Sequence, residues 1–520
     1  MKKSNTLWNI ILIVVWLLQI VVEGFTLGII LRLDMLPQKY LAILIGFFVF
    51  LVLLTGLLMF LHRKRKKVSD TRRVLACLLA LVIVLGCAAM FFVVNELFKT
   101  VDNITTPLES GMTRSVFVRM GDPAWTLEEA ADYTFGIVQN YDTVSTQQAI
   151  QVIEFRLQKA ITVVSFTTVP EMVDALYSGR IGAIILNDAY AGILEEDENY
   201  ADFMEKTRVL LDVPVAGWTE PATEPTTEPV TEPTTQPTAE SVTQPVETAP
   251  TEAPDITNTP FVVYFSGSDT RYQSLPKKSR SDVNILAVVN PVTKQVLLLN
   301  TPRDYYVSNP AGGGSLDKLT HCGVYGIDCS VEALEILYGV DIDHYAKINF
   351  TGFETLIDAI GGVTVYSDVA FTANYLFEVQ VGRNHLNGAQ ALAFARERYN
   401  LGGGDSARGN NQMKVIKAVI EKLTSGTTVI SRYSQILNSL QGMFVMDMPM
   451  EDVGLLVKMQ LDDMSQWNIV TYAVTGKGGR AETYSAPGQN LYVMHPSEES
   501  VNGAKELIRQ VLDGEILAVN

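Results

Sequence analysis

Three long apolar segments near the start of the chain constrain its fold more than any other feature. They cover residues 7–31, 40–61 and 74–97, and each supplies the ~20 apolar residues that a helix needs to cross a bilayer. A cleavable signal peptide fits poorly, because the first apolar run is too long and two more follow it. We therefore expect residues 1–98 to form three transmembrane helices.

The distribution of charge predicts how these helices are oriented. The loop HRKRKKVSDTRR between the second and third segments is densely basic, and Lys2 and Lys3 precede the first segment. Lys and Arg favour the cytoplasmic side, so we expect a multi-pass cell-membrane protein with a cytoplasmic N-terminus and everything after residue 98 extracellular. The formal net charge of −17 argues against nucleic acid as a partner, since binding nucleic acid favours a basic face.

A repetitive segment rich in Thr, Glu and Pro divides the predicted extracellular part. Residues 218–254 carry TEP repeats without Lys or Arg, and they predict an extended, disordered linker. Before the linker, residues 110–213 predict a small α/β lobe, with strands in SVFVRM, AITVVSF and RIGAIILN and helices in TLEEAADYTFGIV and PEMVDALYSG. The order of its last elements resembles one lobe of a periplasmic solute-binding protein, whereas a complete binder has two lobes.

After the linker, residues 261–520 predict an α/β/α sandwich. The runs FVVYFSG, NILAVVNP and QVLLLNTP are apolar and β-branched, which is typical of buried strands. The runs SVEALEILYG, FTGFETLIDAIGG, GAQALAFARER and ARGNNQMKVIKAVIEKL have the spacing of helices. The fold class expected for the whole chain is therefore α/β, anchored in a membrane.

Arg and Asp residues recur at the predicted ends of strands and helices in this last domain. A single Arg–Asp pair is commonly a surface ion pair worth ~0–1 kcal/mol. In open α/β sheets, however, ligands bind at strand ends, where loops bring distant residues together. The recurring residues are Asp269, Arg280, Asp282, Arg303, Asp304, Arg396, Arg398, Asp405 and Arg408.

The combination of several Arg with several Asp favours a pyrophosphate site. Arg forks onto phosphate oxygens, and Mg²⁺ takes one or two protein carboxylates together with phosphate oxygens. Other chemistries lack support, since the chain has no GxSxG, GxxxxGK[ST] or HExxH motif. Cys322 and Cys329 lie close together in sequence, and they form either an extracellular disulfide or two separately packed thiols.

The segments RSDVNILAVVNP, LLLNTPRDYYV, KLTHCGVYG and GAQALAFARERYNLGGGDSARGNNQ together resemble the LytR–CpsA–Psr family. The resemblance implies a phosphotransferase outside the cell that moves an anionic glycopolymer, such as teichoic acid or capsule, from a polyprenyl-pyrophosphate lipid to peptidoglycan. It also implies Mg²⁺ or Mn²⁺ as cofactor and suggests a Gram-positive envelope. Two alternatives are a hydrolase of lipid-pyrophosphate glycans and a non-catalytic envelope sensor.

The resemblance also implies roles for individual residues. Asp282 and Asp405 match metal-linked aspartates, Asp269 matches another polar site residue, and Asp304 matches a possible base or orienter. The residues matching the catalytic set are Arg303, Asp304, Arg396, Arg398 and Arg408. The residues matching the pyrophosphate-binding set are Arg280, Arg303, Lys318, Arg396, Arg398, Arg408 and Gln412. We expect FTGFETLIDAIGG and LLLNTP to help line an apolar groove for the lipid. Three membrane spans, the lobe and the linker depart from the family's simpler layout of one span before the catalytic domain.

Overall fold

A computed structural model describes most of the chain outside the predicted linker. The described residues are 2–33, 36–61, 66–105, 112–139, 143–215, 255–268, 275, 278–402, 404–426, 432, 436 and 439–518. The predicted linker and Asp269 both lie outside them.

The N-terminal region forms three long helices, as predicted. They are α1 (Lys2–Leu33), α2 (Gln38–Phe60) and α3 (Lys66–Thr105). Within them, Ile10–Arg32, Gln38–Phe60 and Thr71–Phe92 are long and apolar enough to cross a membrane. Gln19 links the first two helices, since its amide donates to Glu23 at 2.7 Å and accepts from Thr55 at 2.9 Å. Glu23 is therefore packed inside the helical bundle.

The lobe is a five-stranded sheet with helices packed on it. Its elements are β1 (Met112–Arg119), β2 (Thr134–Val138), α4 (Thr143–Leu157), β3 (Thr162–Phe166), α5 (Val169–Tyr177), β4 (Ala183–Asn187), α6 (Asp188–Leu194), α7 (Phe203–Lys206) and β5 (Thr207–Val215). The strand order is β3-β2-β4-β1-β5. The strands β2, β3 and β4 run parallel, and β1 is antiparallel to both of its neighbours.

The helix predicted for TLEEAADYTFGIV is wrong. Thr126 caps a short turn by accepting from the Glu129 amide at 3.3 Å, but Thr134–Val138 is strand β2. Phe135 is fully buried there and pairs with Val163 of β3. Aromatic and β-branched residues favour a pleated, half-buried surface, and this preference prevails over the helical spacing further upstream.

The C-terminal domain is built on a six-stranded sheet with the order β16-β11-β6-β7-β8-β17. Its first elements are β6 (Phe261–Ser268), β7 (Val283–Asn290), β8 (Gln295–Asn300), β9 (Tyr306–Asn309), a 3₁₀ turn (Pro310–Gly312), β10 (Ser315–Lys318), α8 (Leu319–Tyr325), α9 (Ile327–Tyr338), β11 (His344–Asn349) and α10 (Phe350–Ala359). Then follow β12 (Val363–Ser367), β13 (Phe371–Ala373), β14 (Phe377–Val379), β15 (Gly382–Leu386), α11 (Gly388–Arg396), α12 (Gly404–Thr424) and β16 (Phe444–Met446). The last are α13 (Met450–Asp463), β17 (Asn468–Ala473), β18 (Gly476–Thr483), β19 (Ala486–Pro496) and α14 (Glu498–Leu512).

Helices cover both faces of this sheet. Along β7, Leu286 and Val288 face one side and share a buried cluster with residues of α8, α9 and α14. Ile285 and Ala287 face the other side and pack against Met413 of α12. Because successive side chains of a strand point to opposite faces, both faces of β7 must be apolar. The predicted α/β/α sandwich is confirmed.

The segments that carry the predicted site meet at one end of the strands of this sheet. The ends of β6, β8 and β11 lie beside the start of β7, since Gly267 pairs with Val283 and Ile285 pairs with Asn300. The parallel partner β11 ends at Asn349, opposite the end of β6. Loops that are distant in sequence therefore meet at this end of the strands.

Candidate active site

Asp282 and Arg303 form a buried ion pair at the centre of the site. Asp282 immediately precedes β7, and Arg303 lies in the turn after β8. Arg303 Nη1 donates to Asp282 Oδ1 at 2.9 Å, and the Thr320 hydroxyl donates to the same oxygen at 3.3 Å. Burial by itself raises the pKa of Asp282, but Arg280, Arg303 and Arg408 outweigh it and hold this pKa below its ordinary value. The carboxylate is therefore ionised and available to a cation.

Asp304 extends this network to Lys318. Asp304 Oδ2 lies 3.7 Å from Arg303 Nε, and Asp304 Oδ1 lies 3.1 Å from Lys318 Nζ. Backbone hydrogen bonds fix the two segments together, because the Thr320 amide donates to the Arg303 carbonyl at 2.9 Å and the Leu319 amide donates to the Tyr305 carbonyl at 2.9 Å. Arg303 Nε is buried without a hydrogen-bond partner among the described residues. Its neighbouring charge is the Asp304 carboxylate, so this nitrogen belongs to the buried network.

Tyr305, next to Asp304, points away from the site. Its ring is fully buried, and its hydroxyl donates to the Thr475 carbonyl at 2.6 Å. Tyr305 is therefore a core residue and makes no polar contact with the Arg303–Asp304 network among the described residues.

Arg396 and Arg398 project from a loop that Glu397 holds in place. Arg396 ends α11, and Arg398 lies just beyond that helix rather than closing it. Their guanidinium carbons lie 4.4 Å from the Phe350 ring centre and 4.8 Å from the Tyr399 ring centre, respectively. Among the described residues neither guanidinium forms an ion pair with a carboxylate. Both arginines line the polar cavity at this place.

Glu397 lies between these two arginines and accepts three backbone hydrogen bonds. The amides of Asn374, Tyr399 and Asn400 donate to its carboxylate at 2.6, 2.8 and 2.9 Å. Burial alone raises the pKa of Glu397, but these hydrogen bonds lower it below its ordinary value. Asn374 and its neighbour Tyr375 both have positive φ, of 44° and 56°. Positive φ is strained for Tyr, so Glu397 also anchors a strained turn at the site.

Helix α12 brings the remaining predicted residues to the same place. Arg408 and Gln412 lie one turn apart on it, and both face the site. Asp405 occupies the first turn, where the free amides of a helix N-terminus favour negative charge. The position of its side chain lies outside what the structure describes.

These segments enclose a polar cavity of about 220 Å³. It is lined by Asp282, Val283, Arg303, Phe350, Asn374, Tyr375, Arg396, Glu397, Arg398, Tyr399, Asn400, Arg408 and Gln412. Six of the predicted residues therefore converge. The sequence interpretation missed Glu397, Asn374 and the two tyrosines, which carry no charge pattern that distinguishes them from an ordinary loop.

An apolar cavity of about 570 Å³ adjoins the polar one. It lies between one face of the sheet and the helices α10, α11, α12 and α13. The two cavities share four lining residues, namely Val283, Phe350, Arg396 and Gln412. The prediction for FTGFETLIDAIGG is confirmed, because Phe350, Phe353 and Leu356 line the apolar cavity.

The expectation for LLLNTP is wrong. None of its residues is among those that line the apolar cavity, and of this strand only the preceding Val296 reaches it. Leu297 and Leu299 face the opposite side of the sheet and pack in the core beneath α8, α9 and α14. Leu298, on the cavity side, is fully buried against Met413.

Arg280 and Lys318 lie outside the lining of the polar cavity, against a carboxylate from the lobe. Glu196 Oε2 lies 2.5 Å from Lys318 Nζ, and Glu196 Oε1 lies 3.4 Å from Arg280 Nη1. This contact could not be predicted from the sequence, because Glu196 belongs to the acidic run EEDE in a different domain. Its partners are more than eighty residues away across the predicted linker.

His321 and the two nearby cysteines are buried behind the site. His321 Nδ1 lies 2.8 Å from Asp317 Oδ1, and Asp317 also accepts from Ser485. Cys322 and Cys329 are both buried free thiols in the structure. They lie on the adjoining helices α8 and α9 rather than in a loop.

The described carboxylates fit a metal held mainly by a diphosphate. In the parts of the chain that the structure describes, no three His, Cys, Asp or Glu side chains gather as a complete metal cage. Two described carboxylates line the polar cavity, and Glu397 is engaged by three backbone amides, whereas Asp282 lies beside Arg303 with its pKa held low. One or two carboxylates are what Mg²⁺ uses when phosphate oxygens and water complete its shell.

Comparisons with known proteins place the chain in a family. The model of the LytR_cpsA_psr family matches residues 231–507. The chain is 34% identical over 195 residues to the polyisoprenyl-teichoic acid–peptidoglycan teichoic acid transferase TagU of Enterococcus faecalis, covering 37% of this chain and 63% of that protein. It is 36% identical over 183 residues to the protein of that name in Bacillus mycoides, covering 35% and 58%. The structure of the Lin1025 protein from Listeria innocua matches with a TM-score of 0.40 and 28% identity, over 49% of this chain and 99% of that one.

The aligned regions thus span 58–63% of the length of these two curated relatives. The family model, in contrast, covers more than half of this chain and includes every described residue of the polar cavity. The chain belongs to the LytR–CpsA–Psr family.

Proposed function

We propose that this protein transfers an anionic glycopolymer from a polyprenyl-pyrophosphate carrier to peptidoglycan on the outer side of a cell membrane. The observation that carries the proposal is the junction of the two cavities. An arginine-lined polar cavity adjoins an apolar one, and the two share Val283, Phe350, Arg396 and Gln412 in their linings. This arrangement matches a ligand with a diphosphate head and a hydrocarbon tail.

The position of α13 supports entry of the carrier from the membrane. Met450 and Leu456 of this helix line the apolar cavity. Asp462, at its far end, pairs with Lys39 at 3.2 Å, and Lys39 lies in the first turn of the second membrane helix. The basic loop after that helix favours an outer location for Lys39. A lipid leaving the outer leaflet would therefore meet the apolar cavity first.

The polar cavity supplies charge to the diphosphate. Arg303, Arg396, Arg398 and Arg408 all line this cavity, so phosphate oxygens bound in it can accept from several guanidinium groups. Such donors stabilise the charge that develops on the transferred phosphoryl group and on the leaving oxygen. A divalent cation, Mg²⁺ or Mn²⁺, held by Asp282 and Asp405 would add positive charge at the same oxygens.

The transfer exchanges one phosphorus–oxygen bond for another. A hydroxyl oxygen of peptidoglycan attacks the phosphorus attached to the first sugar of the polymer, and the bond from that phosphorus to the bridging oxygen breaks. The bridging oxygen keeps the electron pair and leaves as polyprenyl phosphate, while the hydroxyl proton passes to a base or to solvent. Asp304 lies outside the lining of the polar cavity and forms ion pairs with both Arg303 and Lys318, which hold Arg303 in position.

The test uses the full-length protein in detergent or vesicles with a polyprenyl-pyrophosphate glycopolymer, peptidoglycan and Mg²⁺. We expect covalent attachment of polymer to peptidoglycan with equimolar release of polyprenyl phosphate. Replacing Arg396 or Arg398 by Ala should reduce transfer ~10²–10³-fold, as loss of a transition-state donor does. Arg383→Ala is the matched control, because Arg383 is an exposed arginine of β15 outside both cavities. Release of free polymer phosphate alone would instead identify a hydrolase.

A further inference from the structure

The lobe is docked on the catalytic domain through an apolar interface beside the active site. Tyr190, Ile193 and Leu194 of α6 share one buried cluster with Val324 of α8 and Leu491 of β19. Burial of apolar side chains from both partners is the main favourable term in such docking. The interface therefore joins the lobe to the helix that follows Lys318.

Polar contacts fix the orientation of this interface. The Tyr190 hydroxyl donates to the Tyr325 hydroxyl at 3.1 Å, and Arg280 Nη1 donates to the Gly192 carbonyl at 3.0 Å. A Cβ at position 192 would lie 2.9 Å from the Arg280 guanidinium carbon, so glycine allows the two segments to approach. The turn after α6 is thereby held against the catalytic domain with Glu196 directed inward.

Glu196 enters the charged network of the active site itself. Its carboxylate contacts Lys318 at 2.5 Å, and Lys318 in turn contacts Asp304 at 3.1 Å. Asp304 lies 3.7 Å from Arg303, which donates to Asp282 at 2.9 Å. Charges of alternating sign thus run without a break from the lobe to the polar cavity.

We propose that Glu196, although it belongs to the lobe, is a positioning residue of the active site that fixes Lys318 and, through it, Asp304. The Lys318 side chain is only 3% exposed and forms ion pairs with two carboxylates, those of Glu196 and Asp304. Without Glu196, this buried cation is left with Asp304 as its carboxylate partner among the described residues, and it draws Asp304 away from Arg303. Catalysis then falls because the transition-state donors are displaced, since shifts of about 1 Å can reduce rates ~10²-fold.

The inference rests on the proposed transferase function, and it assigns the lobe a part in that reaction. The lobe, which the simpler family layout lacks, is then a component of the catalytic centre. Undocking of the lobe would remove Glu196 from Lys318 and Arg280 together. Any ligand or partner that moves the lobe would consequently change turnover.

The test compares Glu196→Gln with Glu198→Gln in the full-length protein. Glu198 is the matched control because it lies on the same turn and also bridges the two domains, through Arg480 at 3.3 Å, but is 88% exposed against 15% for Glu196. We expect Glu196→Gln to lower kcat ~10–100-fold, with the KM for the lipid donor changed much less. Glu198→Gln should retain wild-type kcat. Glu196→Asp keeps the charge and should restore part of the lost kcat.

A second measurement reports the contact without any activity. Burial by itself lowers the pKa of His321, but Asp317 and then Glu196 raise it to about 9. Glu196 Oε2 lies 3.8 Å from His321 Nε2, so an NMR titration of the histidines should show a lower His321 pKa in Glu196→Gln than in the wild type. Glu198→Gln should leave it unchanged.

The outcomes separate the two proposals. Wild-type protein that transfers nothing refutes the proposed function, whereas the His321 titration still tests the docking of Glu196. Wild-type kcat in Glu196→Gln, or equal losses in Glu196→Gln and Glu198→Gln, overturns the positioning role. If Glu196→Gln fails to fold, Glu196→Ala is measured in its place, and a wild-type kcat together with an unchanged His321 pKa in that variant overturns the role equally.

Discussion

Replacing Glu397 by Ala should unfold the arginine loop without removing any group that touches substrate. The Glu397 carboxylate accepts from the backbone amides of Asn374, Tyr399 and Asn400. It also accepts from the Asn400 side chain at 3.3 Å. Alanine removes all of these acceptors at once and frees both the loop after α11 and the turn between β13 and β14.

The size of the effect follows from these contacts. Hydrogen bonds to a charged group contribute ~1.5–3 kcal/mol each, but Asn374, Tyr399 and Asn400 are exposed and their amides can bond to water once released. We therefore expect about 1 kcal/mol per backbone bond, or roughly 3 kcal/mol of unfolding free energy for Glu397→Ala. Glu397→Gln retains one acceptor oxygen and should lose about half as much.

The same change should reduce transfer, because Arg396 and Arg398 flank Glu397 and depend on it for their direction. We expect a ~10–100-fold lower kcat/KM for Glu397→Ala, measured beside urea unfolding of the same preparation. Glu378→Ala is the control, since Glu378 is an exposed carboxylate of β14 that accepts from the side chain of Thr372 and, among the described residues, from no backbone amide. Wild-type activity and stability in Glu397→Ala would refute the role assigned to this carboxylate.

Three further predictions concern pH, the core and the lipid. The pKa of His321 is about 9 in the folded protein, raised mainly by Asp317, against 6.5 in the unfolded chain. Protonation of His321 should therefore contribute on the order of 3 kcal/mol to the free energy of unfolding, fully present below pH 6.5 and lost as the pH rises through 9. Urea unfolding of a His321→Gln variant should lack this pH dependence. Tyr305→Phe removes the hydroxyl that donates to the Thr475 carbonyl, which still accepts from the Ser497 amide, so thermal unfolding should show a loss of about 0.5–1.5 kcal/mol while transfer stays near the wild-type rate. Donor affinity should rise with lipid length by about 0.8 kcal/mol per buried methylene and then level off once the apolar cavity is filled, and a continued rise would contradict the assignment of that cavity.

The elements that depend on local pattern could be predicted from the sequence. The runs FVVYFSG, NILAVVNP and QVLLLNTP are strands because both of their faces are apolar, and the three membrane helices follow from length and hydropathy. The arginines at 396, 398 and 408 could be assigned to one site because several Arg recur beside Asp at the predicted ends of strands and helices, which favours a phosphate ligand. The segment FTGFETLIDAIGG was likewise predicted to line an apolar groove, and its first residue, Phe350, lines the apolar cavity.

Contacts between distant segments could not be predicted in this way. Glu196 lies in an acidic run that reads as solvated, and only the docking of the lobe brings it to Lys318. In the sequence, Glu397 is indistinguishable from a solvated charge between two arginines. In the structure, backbone amides of the same loop donate to its carboxylate. The strand at Thr134–Val138 was missed because its register with β3 prevails over local helical spacing.

The most direct test of the proposed function is to identify what leaves the carrier and where the polymer goes. Purified full-length protein is incubated with an isotopically labelled polyprenyl-pyrophosphate glycopolymer, peptidoglycan and Mg²⁺, and both the lipid and the peptidoglycan fractions are analysed. The proposed chemistry predicts labelled polymer bound covalently to peptidoglycan through a phosphodiester, with one polyprenyl phosphate released for each polymer attached. Labelled polymer found only free in solution, or no loss of carrier with any such donor, would contradict it.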